Sequence, residues 1–393
     1  MHPGISRRSF FRIAAAGSAA AAFPLLSEAH FAHAQRAMRF KAIPHDAVRI
    51  NANENPLGPC GGACGTIQSL IPEGGRYDDD LTDKFVDVFT QQEGLKPGYV
   101  LPYAGSSEPL SYAVVAFTSK DRSYVTADPG YEAGMRTADA VGAKIIKVPL
   151  TADHKHDVKA MVAADPNAGV IYICNPNNPT GTVISHDEIQ YALDHKPAGS
   201  ILLIDEAYIH FSDTTSAIDM VKADKDVIIL RTFSKIYGMA GMRCGVAIAR
   251  PDLLQKLAPY GGNAMPVLSV ASATASLQEP GLVPERKKIN AEIRSGVFDW
   301  LAANNYSFIP SQSNCFMLDT RRPGKEVLHA MAEKNVYIGR VWPIWPTYVR
   351  VTVGTRQDMQ RFQAAFHEVM NNSTAHLGDD PMPIHQRGHR FLS

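Results

Sequence analysis

Several scarcities bound what this 393-residue chain can be. Cysteine is sparse: five residues, at 60, 64, 174, 244 and 315, are an odd number in a large chain. That is not the framework of a small disulfide-stapled domain. Cys60 and Cys64 are close enough in sequence to bridge, yet free thiols would be equally ordinary in their Gly-rich loop. An excess of charge of either sign is missing, since Lys+Arg and Asp+Glu are both 39. No long-range field therefore draws the chain to nucleic acid or to an anionic membrane. Long apolar runs are missing too. The Ala-rich stretch from Ile13 to Leu26 is broken by Pro24 and is shorter than the roughly 20 residues that span a bilayer. Metal-ligand clusters are absent: His154 and His156 form a lone pair in a polar turn, where solvation is the expectation and no metal is implied. No internal repeat is visible. What remains, 45% hydrophobic and 20% charged residues, is the balance of a soluble globular protein with more than one domain.

The first residues carry an address. Ser6-Arg7-Arg8-Ser9-Phe10-Phe11-Arg12 is a twin-arginine motif, and Ala32-His33-Ala34 offers small residues where a signal peptidase reads. The expectation is a signal peptide over 1–34, with Gln35 as the mature start. It would be recognised by the twin-arginine export machinery and released to the periplasm or the cell exterior, with no stable membrane anchor. That route carries proteins already folded, so a cofactor could be acquired before export.

Beyond the signal, residues 35–50 read as an arm and 51–75 as a Pro/Gly-rich, loop-dominated segment. Short apolar runs then alternate with helical periodicity. Strands are expected at 99–103, 123–127, 144–148, 170–174, 201–204, 227–230 and 245–249. Helices are expected at 80–93, 106–118, 131–141, 186–196, 252–258 and 267–278. This alternation predicts an α/β fold whose mostly parallel sheet is covered on both faces. Ligands in such folds sit beyond the carboxyl ends of the strands. A helix around 283–303 leads into a second unit, with strands at 306–319, 336–338 and 348–352 and a helix at 357–371. The expected organisation is an arm and part of a small domain (35–75), a large domain (76–280), a small α+β domain (281–372) and a loose tail (373–393).

The chemistry concentrates in Arg231-Thr232-Phe233-Ser234-Lys235-Ile236-Tyr237-Gly238, which follows the apolar run Val227 to Leu230. A lysine amine forms a Schiff base with an aldehyde cofactor. The hydroxyls of Thr232 and Ser234, with the guanidinium of Arg243, suit an anchored phosphate. Gly105-Ser106-Ser107 opens a helix, where free N–H groups and the dipole also favour an anion. Asp205 ends the apolar run Ile201-Leu202-Leu203-Ile204, so its carboxylate is expected to be buried and must be paired. A protonated pyridine nitrogen would pair it. Amine, hydroxyls, arginine and carboxylate together describe a seat for pyridoxal 5'-phosphate.

From about Val48 to Asn372 the chain resembles the aspartate-aminotransferase superfamily, and within it the histidinol-phosphate aminotransferase branch. The motifs fall in that family's order. They are Asn51-Ala52-Asn53-Glu54-Asn55-Pro56, Arg76-Tyr77, Gly105-Ser106-Ser107-Glu108 and Asp128-Pro129-Gly130-Tyr131. Asn175-Pro176-Asn177-Asn178-Pro179-Thr180-Gly181 and Asp205-Glu206-Ala207-Tyr208 follow, then the Lys235 segment and Arg350-Val351-Thr352-Val353-Gly354-Thr355. The resemblance implies an aspartate-aminotransferase-like fold, with a large domain built on a mostly parallel seven-stranded sheet and a smaller C-terminal domain. It implies that Lys235, Asp205 and Tyr208 are catalytic, with Asn178 and Tyr208 at the ring's phenolic oxygen and Tyr131 stacked on the ring. It also implies a homodimer in which Tyr77 reaches the neighbouring subunit's cofactor phosphate. Arg350 would clamp the substrate α-carboxylate, with Asn53 a second candidate for the same group and Arg340 a candidate for a substrate phosphate.

Between Arg340 and Arg350 the chain departs from that branch. Val341-Trp342-Pro343-Ile344-Trp345-Pro346-Thr347-Tyr348-Val349 is apolar and rigid. It would either line the pocket, favouring an aromatic or other non-phosphorylated amino acid, or pack between domains. Histidine biosynthesis is cytoplasmic, so an exported chain of this kind carries that label as ancestry. The leading expectation is an aminotransferase that moves an amino group from an L-amino acid to a 2-oxo acid by a ping-pong Schiff-base mechanism. The same scaffold would also serve an O2-dependent amino-acid oxidase, a racemase, a decarboxylase or a lyase. A non-catalytic binding protein is disfavoured by the intact Lys235, Asp205 and Arg350.

Overall fold

The computed structural model describes residues 43–261 and 264–371. The expected signal over 1–34 and the tail over 373–393 lie outside the described residues. The strands are β1 (Val48–Ile50), β2 (Val100–Tyr103), β3 (Ser123–Asp128), β4 (Ile145–Pro149), β5 (Ala168–Cys174) and β6 (Ile201–Asp205). Then come β7 (Val227–Thr232), β8 (Gly245–Ile248), β9 (Phe308–Ile309), β10 (Cys315–Asp319), β11 (Val336–Ile338) and β12 (Tyr348–Thr352). Seven of them form one sheet in the order β2-β8-β7-β6-β5-β3-β4. Strands β3 to β7 pair in parallel, and β8 alone runs antiparallel to both its neighbours.

Every residue of β5, β6, β7 and β8 is buried. That burial on both faces explains why these strands read as unbroken apolar runs and not as alternation. The register then fixes the chemistry. Cys174 lies opposite Asp205, and Asp205 opposite Leu230, so the carboxyl ends of β5, β6 and β7 stand side by side.

A second hydrophobic core gathers Phe316, Leu318, Val349, Val351, Phe362 and Phe366 with Val48 and Ile50. Its sheets are β12-β10-β9 and the parallel pair β1-β11. Pairing of β1 with β11 brings the start of the described chain to its end.

Three segments differ from the sequence reading. The stretch within 51–75 is not all loop: Gly61–Leu70 is a helix. Three glycines hide it, and packing against the helix Val267–Gln278 supports it, with Cys60 and Ala63 in the large sheet's core. The expected strand over 306–319 is two strands, because Pro310 has no N–H to give a ladder. Gly324–Glu333 is a helix, burying Val327 and Met331 one turn apart.

Candidate active site

Each strand end delivers one piece of a single cavity. It is lined by Ser106 and Ser107, Tyr131, Asn178, Asp205 and Tyr208, with Thr232, Ser234, Lys235 and Arg243 closing it. These ten expected residues are therefore brought together. Of the others, Arg350 and Asn53 contact the lining residues Asn178 and Tyr208, Arg340 is not among the lining residues, and Tyr77 is 89% exposed and away from the cavity in the single chain.

At one end the arrangement is cationic and rich in donors. The helix Ser107–Phe117 starts at Ser106 without a side-chain cap, leaving its first-turn N–H groups to a ligand or water. Arg243, held at φ 63, donates to the Ser234 hydroxyl at 3.3 Å, to the Ala240 carbonyl at 3.2 Å and to the Ala104 carbonyl at 3.0 Å. Its guanidinium lies so tightly against the turn that a Cβ on Gly105 would come 2.1 Å from Nη2. Thr232 donates its hydroxyl to Ser234 at 2.9 Å.

At the other end Asp205 is 4% exposed. Its Oδ1 accepts from the Ala207 N–H at 3.0 Å, and its Oδ2 from the Tyr172 hydroxyl at 2.9 Å. Lys235 stands between the two ends, also 4% exposed, with Nζ 5.4 Å from the centre of the Tyr208 ring. The Tyr208 hydroxyl accepts from Asn53 Nδ2 at 3.0 Å, and the Tyr131 hydroxyl lies 3.3 Å from that of Ser107.

The second core closes the remaining side. Arg350 donates from Nη1 to Asn178 Oδ1 at 2.8 Å and from Nη2 to the Asn51 carbonyl at 3.1 Å. Trp342 is 1% exposed and donates from Nε1 to the Gly130 carbonyl at 3.1 Å. Its ring centre lies 4.4 Å from the Arg340 guanidinium and 5.7 Å from that of Arg350. Trp342 therefore packs between arginines and is not among the residues lining the cavity, while Trp345 packs against His154 and Tyr348. Arg340 is engaged by Glu132, Nη2 to Oε2 at 2.7 Å.

Sequence reasoning missed several groups here. Tyr172 and Glu132 gave no signal, since neither belongs to a recognised motif role. The expectation of a solvated His156 is corrected: it is buried, with Nε2 3.0 Å from the Cys174 carbonyl, and burial lowers its pKa to about 4. On the far face of β6 and β7, Arg231 donates from Nε to Glu206 Oε2 at 2.9 Å and from Nη2 to Ser216 at 2.8 Å. All five cysteines are free thiols, Cys64 exposed and the other four buried. Among the described residues no cluster of three or more His, Cys, Asp or Glu could hold a metal ion. Among them, too, no helix is long and apolar enough to cross a membrane.

Comparison with known proteins agrees with this geometry. A model of the family described as aminotransferase class I and II matches residues 75–366. The histidinol-phosphate aminotransferase of Moorella thermoacetica is 30% identical over 83% of this chain and 86% of its own length. The aromatic amino acid aminotransferase of Cutibacterium acnes is 32% identical over 80% and 90%. Among solved structures, a protein from Erwinia carotovora atroseptica superposes with a TM-score of 0.80 at 31% identity, covering 84% of this chain and 98% of that one. The Sinorhizobium meliloti histidinol-phosphate aminotransferase, solved with pyridoxal-5'-phosphate, shares the fold at a TM-score of 0.79 and 23% identity, covering 89% and 95%. The chain belongs to the class I and II aminotransferase family.

Proposed function

We propose that this protein is a pyridoxal-phosphate-dependent aminotransferase, moving the amino group of an L-amino acid to a 2-oxo acid. One observation carries the reading: a buried lysine stands in one cavity between a buried carboxylate and a cluster of arginine, hydroxyls and an uncapped helix start. The donor set fits the cofactor. Ser106, Ser107, Thr232, Ser234 and Arg243 would hold its phosphate, and Asp205 its ring nitrogen. Asn178 and Tyr208 would hold its phenolic oxygen. When bound, pyridoxal phosphate supplies an aldehyde for the amino group and a ring that withdraws electrons from Cα.

The chain's own residues do the rest. Asp205, buried and doubly hydrogen-bonded, keeps a negative charge at the ring-nitrogen end. Lys235 would hold the cofactor's aldehyde through Nζ, and the same amine, once freed, is the group placed to take up and return the substrate's Cα proton. The Arg350 fork, positioned by its contact with Asn178 Oδ1, would hold the α-carboxylate bidentately. Burial of the whole set excludes water from the proton's path.

For the amino donor, the Arg340–Glu132 pair favours an aromatic or apolar L-amino acid over a histidinol-phosphate-like one. A guanidinium already neutralised by a carboxylate offers little to a phosphate. The exposed Tyr77 supports a homodimer in which that ring serves the partner's site. The Arg7-Arg8 motif supports export in the folded state to the periplasm or beyond. Blue-native mass analysis and cell fractionation test these two statements.

The reaction is tested on purified protein by following the cofactor's absorbance while a panel of amino acids is added without any keto acid. Transamination requires bleaching, one keto product per site, and recovery of the band on adding a 2-oxo acid. Continued turnover without an acceptor, especially with O2 uptake, would replace it by an oxidase or a lyase.

A further inference from the structure

We infer that Tyr172 is a positioning residue for this reaction, acting on the cofactor's ring nitrogen through the Asp205 carboxylate. The inference rests on the aminotransferase reading and goes beyond it, since Tyr172 lies outside the motifs that carry that reading.

Tyr172 sits on β5, opposite Leu203 and two residues before the Cys174 that faces Asp205. Strand alternation turns Tyr172 and Cys174 to the same face, and the phenol reaches diagonally to Asp205 Oδ2 at 2.9 Å. It is 1% exposed, and its ring packs 6.0 Å from that of Tyr124, which is wholly buried. Burial, and after it the adjacent carboxylate, hold the phenol well above its ordinary pKa. The proton therefore stays on Tyr172, and the bond runs one way, tyrosine donating.

This direction matters for Asp205. Burial alone drives a carboxylate towards its neutral form, which could not balance a protonated ring nitrogen. Hydrogen bonds donated to the ionised form oppose that drive. Asp205 receives one from the Ala207 N–H at Oδ1 and one from Tyr172 at Oδ2. The two donors sit on different oxygens, so they fix the plane of the carboxylate as well as its charge. The backbone donor survives every substitution at 207 except proline. The side-chain donor is the adjustable one.

Tyr172→Phe removes the donor with little change of shape. The experiment measures cofactor dissociation constants of the full chain for pyridoxal phosphate and for its 1-deaza analogue, in which a C–H replaces the ring nitrogen. Expected is a loss of about tenfold to a hundredfold for pyridoxal phosphate, a much smaller change for the analogue, and no added loss in an Asp205→Ala background. Equal losses for both compounds would make Tyr172 a packing residue and overturn the inference, as would no loss for either. If the parent protein binds neither compound, the underlying aminotransferase reading fails instead. Should Tyr172→Phe not fold, fluorotyrosine at 172 keeps the shape and strengthens the donor. It should tighten pyridoxal phosphate and leave the analogue unmoved; an unmoved pyridoxal phosphate overturns the inference there too.

Discussion

Gly105→Ala is the substitution through which the phosphate seat is most directly tested. Gly105 has φ 95, where a side chain is strained in any surroundings, at a cost of roughly 1–2 kcal/mol. The added Cβ would also lie 2.1 Å from Nη2 and 2.8 Å from Cζ of Arg243. The backbone around the turn is packed, so the flexible guanidinium moves. In moving it gives up bonds at 3.0 to 3.3 Å to Ala104, Ala240 and Ser234. An arginine so displaced no longer meets a phosphate, and a hydrogen bond to a charged group contributes about 1.5–3 kcal/mol. The expected outcome is a cofactor dissociation constant raised about tenfold to a hundredfold, with a melting temperature lower by a few degrees. Titration by cofactor absorbance reads the first and thermal unfolding of the cofactor-free protein the second. Gly296→Ala serves as the contrast. It lies within the helix Leu282–Ala303 with nothing near its added Cβ, so it should stabilise by up to about 1 kcal/mol and leave binding alone. A Gly105→Ala protein that binds cofactor like its parent would refute the placement of Arg243 at the phosphate.

Three further outcomes follow from the same geometry. Arg231→Met strands the Glu206 carboxylate, 1% exposed, without its guanidinium, and should cost about 3–5 kcal/mol in denaturant unfolding; Glu206→Gln added to it should restore much of the loss. His156, with its pKa lowered from 6.5 to about 4, lets the unfolded chain take up a proton first as pH falls. Its contribution is therefore complete above about pH 6.5 and fades towards pH 4, by about 3 kcal/mol in all. His156→Gln should flatten that part of the stability–pH curve, and an unchanged slope would exclude the histidine as its source. Glu132→Gln removes the carboxylate that pairs with Arg340, so inhibition by inorganic phosphate should strengthen about tenfold; no change would show that Arg340 does not face the substrate side.

Much of this was legible in the chain because burial on both faces leaves a plain trace. Ile201-Leu202-Leu203-Ile204 and Val227-Ile228-Ile229-Leu230 could only be interior strands, and the residues that follow them lie at strand ends by topology alone. Elsewhere local signals misled. Gly61, Gly62 and Gly65 argue against a helix that packing with Val267–Gln278 nevertheless imposes. Pro310 and the polar run Ser311-Gln312-Ser313-Asn314 divide the Tyr306 to Asp319 segment, which the structure resolves into two strands. The partners of the site residues were hidden for a different reason. Tyr172 finds Asp205 only through strand register, and Glu132 finds Arg340 across 208 residues of sequence. The same holds for Trp342, whose two alternatives, pocket wall or packing, turn on Gly130 and two guanidinium groups that no local pattern reveals.

Those long-range partners give the site its logic. Two of the groups expected to touch substrate, Arg350 and Asn53, are tied directly to residues of the cofactor cavity, and Trp342 to the loop beside it. Arg350 holds Asn178, Asn53 holds the Tyr208 hydroxyl, and Trp342 holds the carbonyl next to Tyr131. Asn178, Tyr208 and Tyr131 are cavity residues whose expected role is the cofactor's ring, not its phosphate. Arg350 has N–H donors beyond the one it gives to Asn178, so a carboxylate can be held beside that contact. Substrate recognition is thereby linked to residues that face the ring, whereas phosphate anchoring lies at the other end of the cavity. The two are separable by substitution: Arg350→Lys should impair turnover with little loss of cofactor, whereas Gly105→Ala should do the reverse.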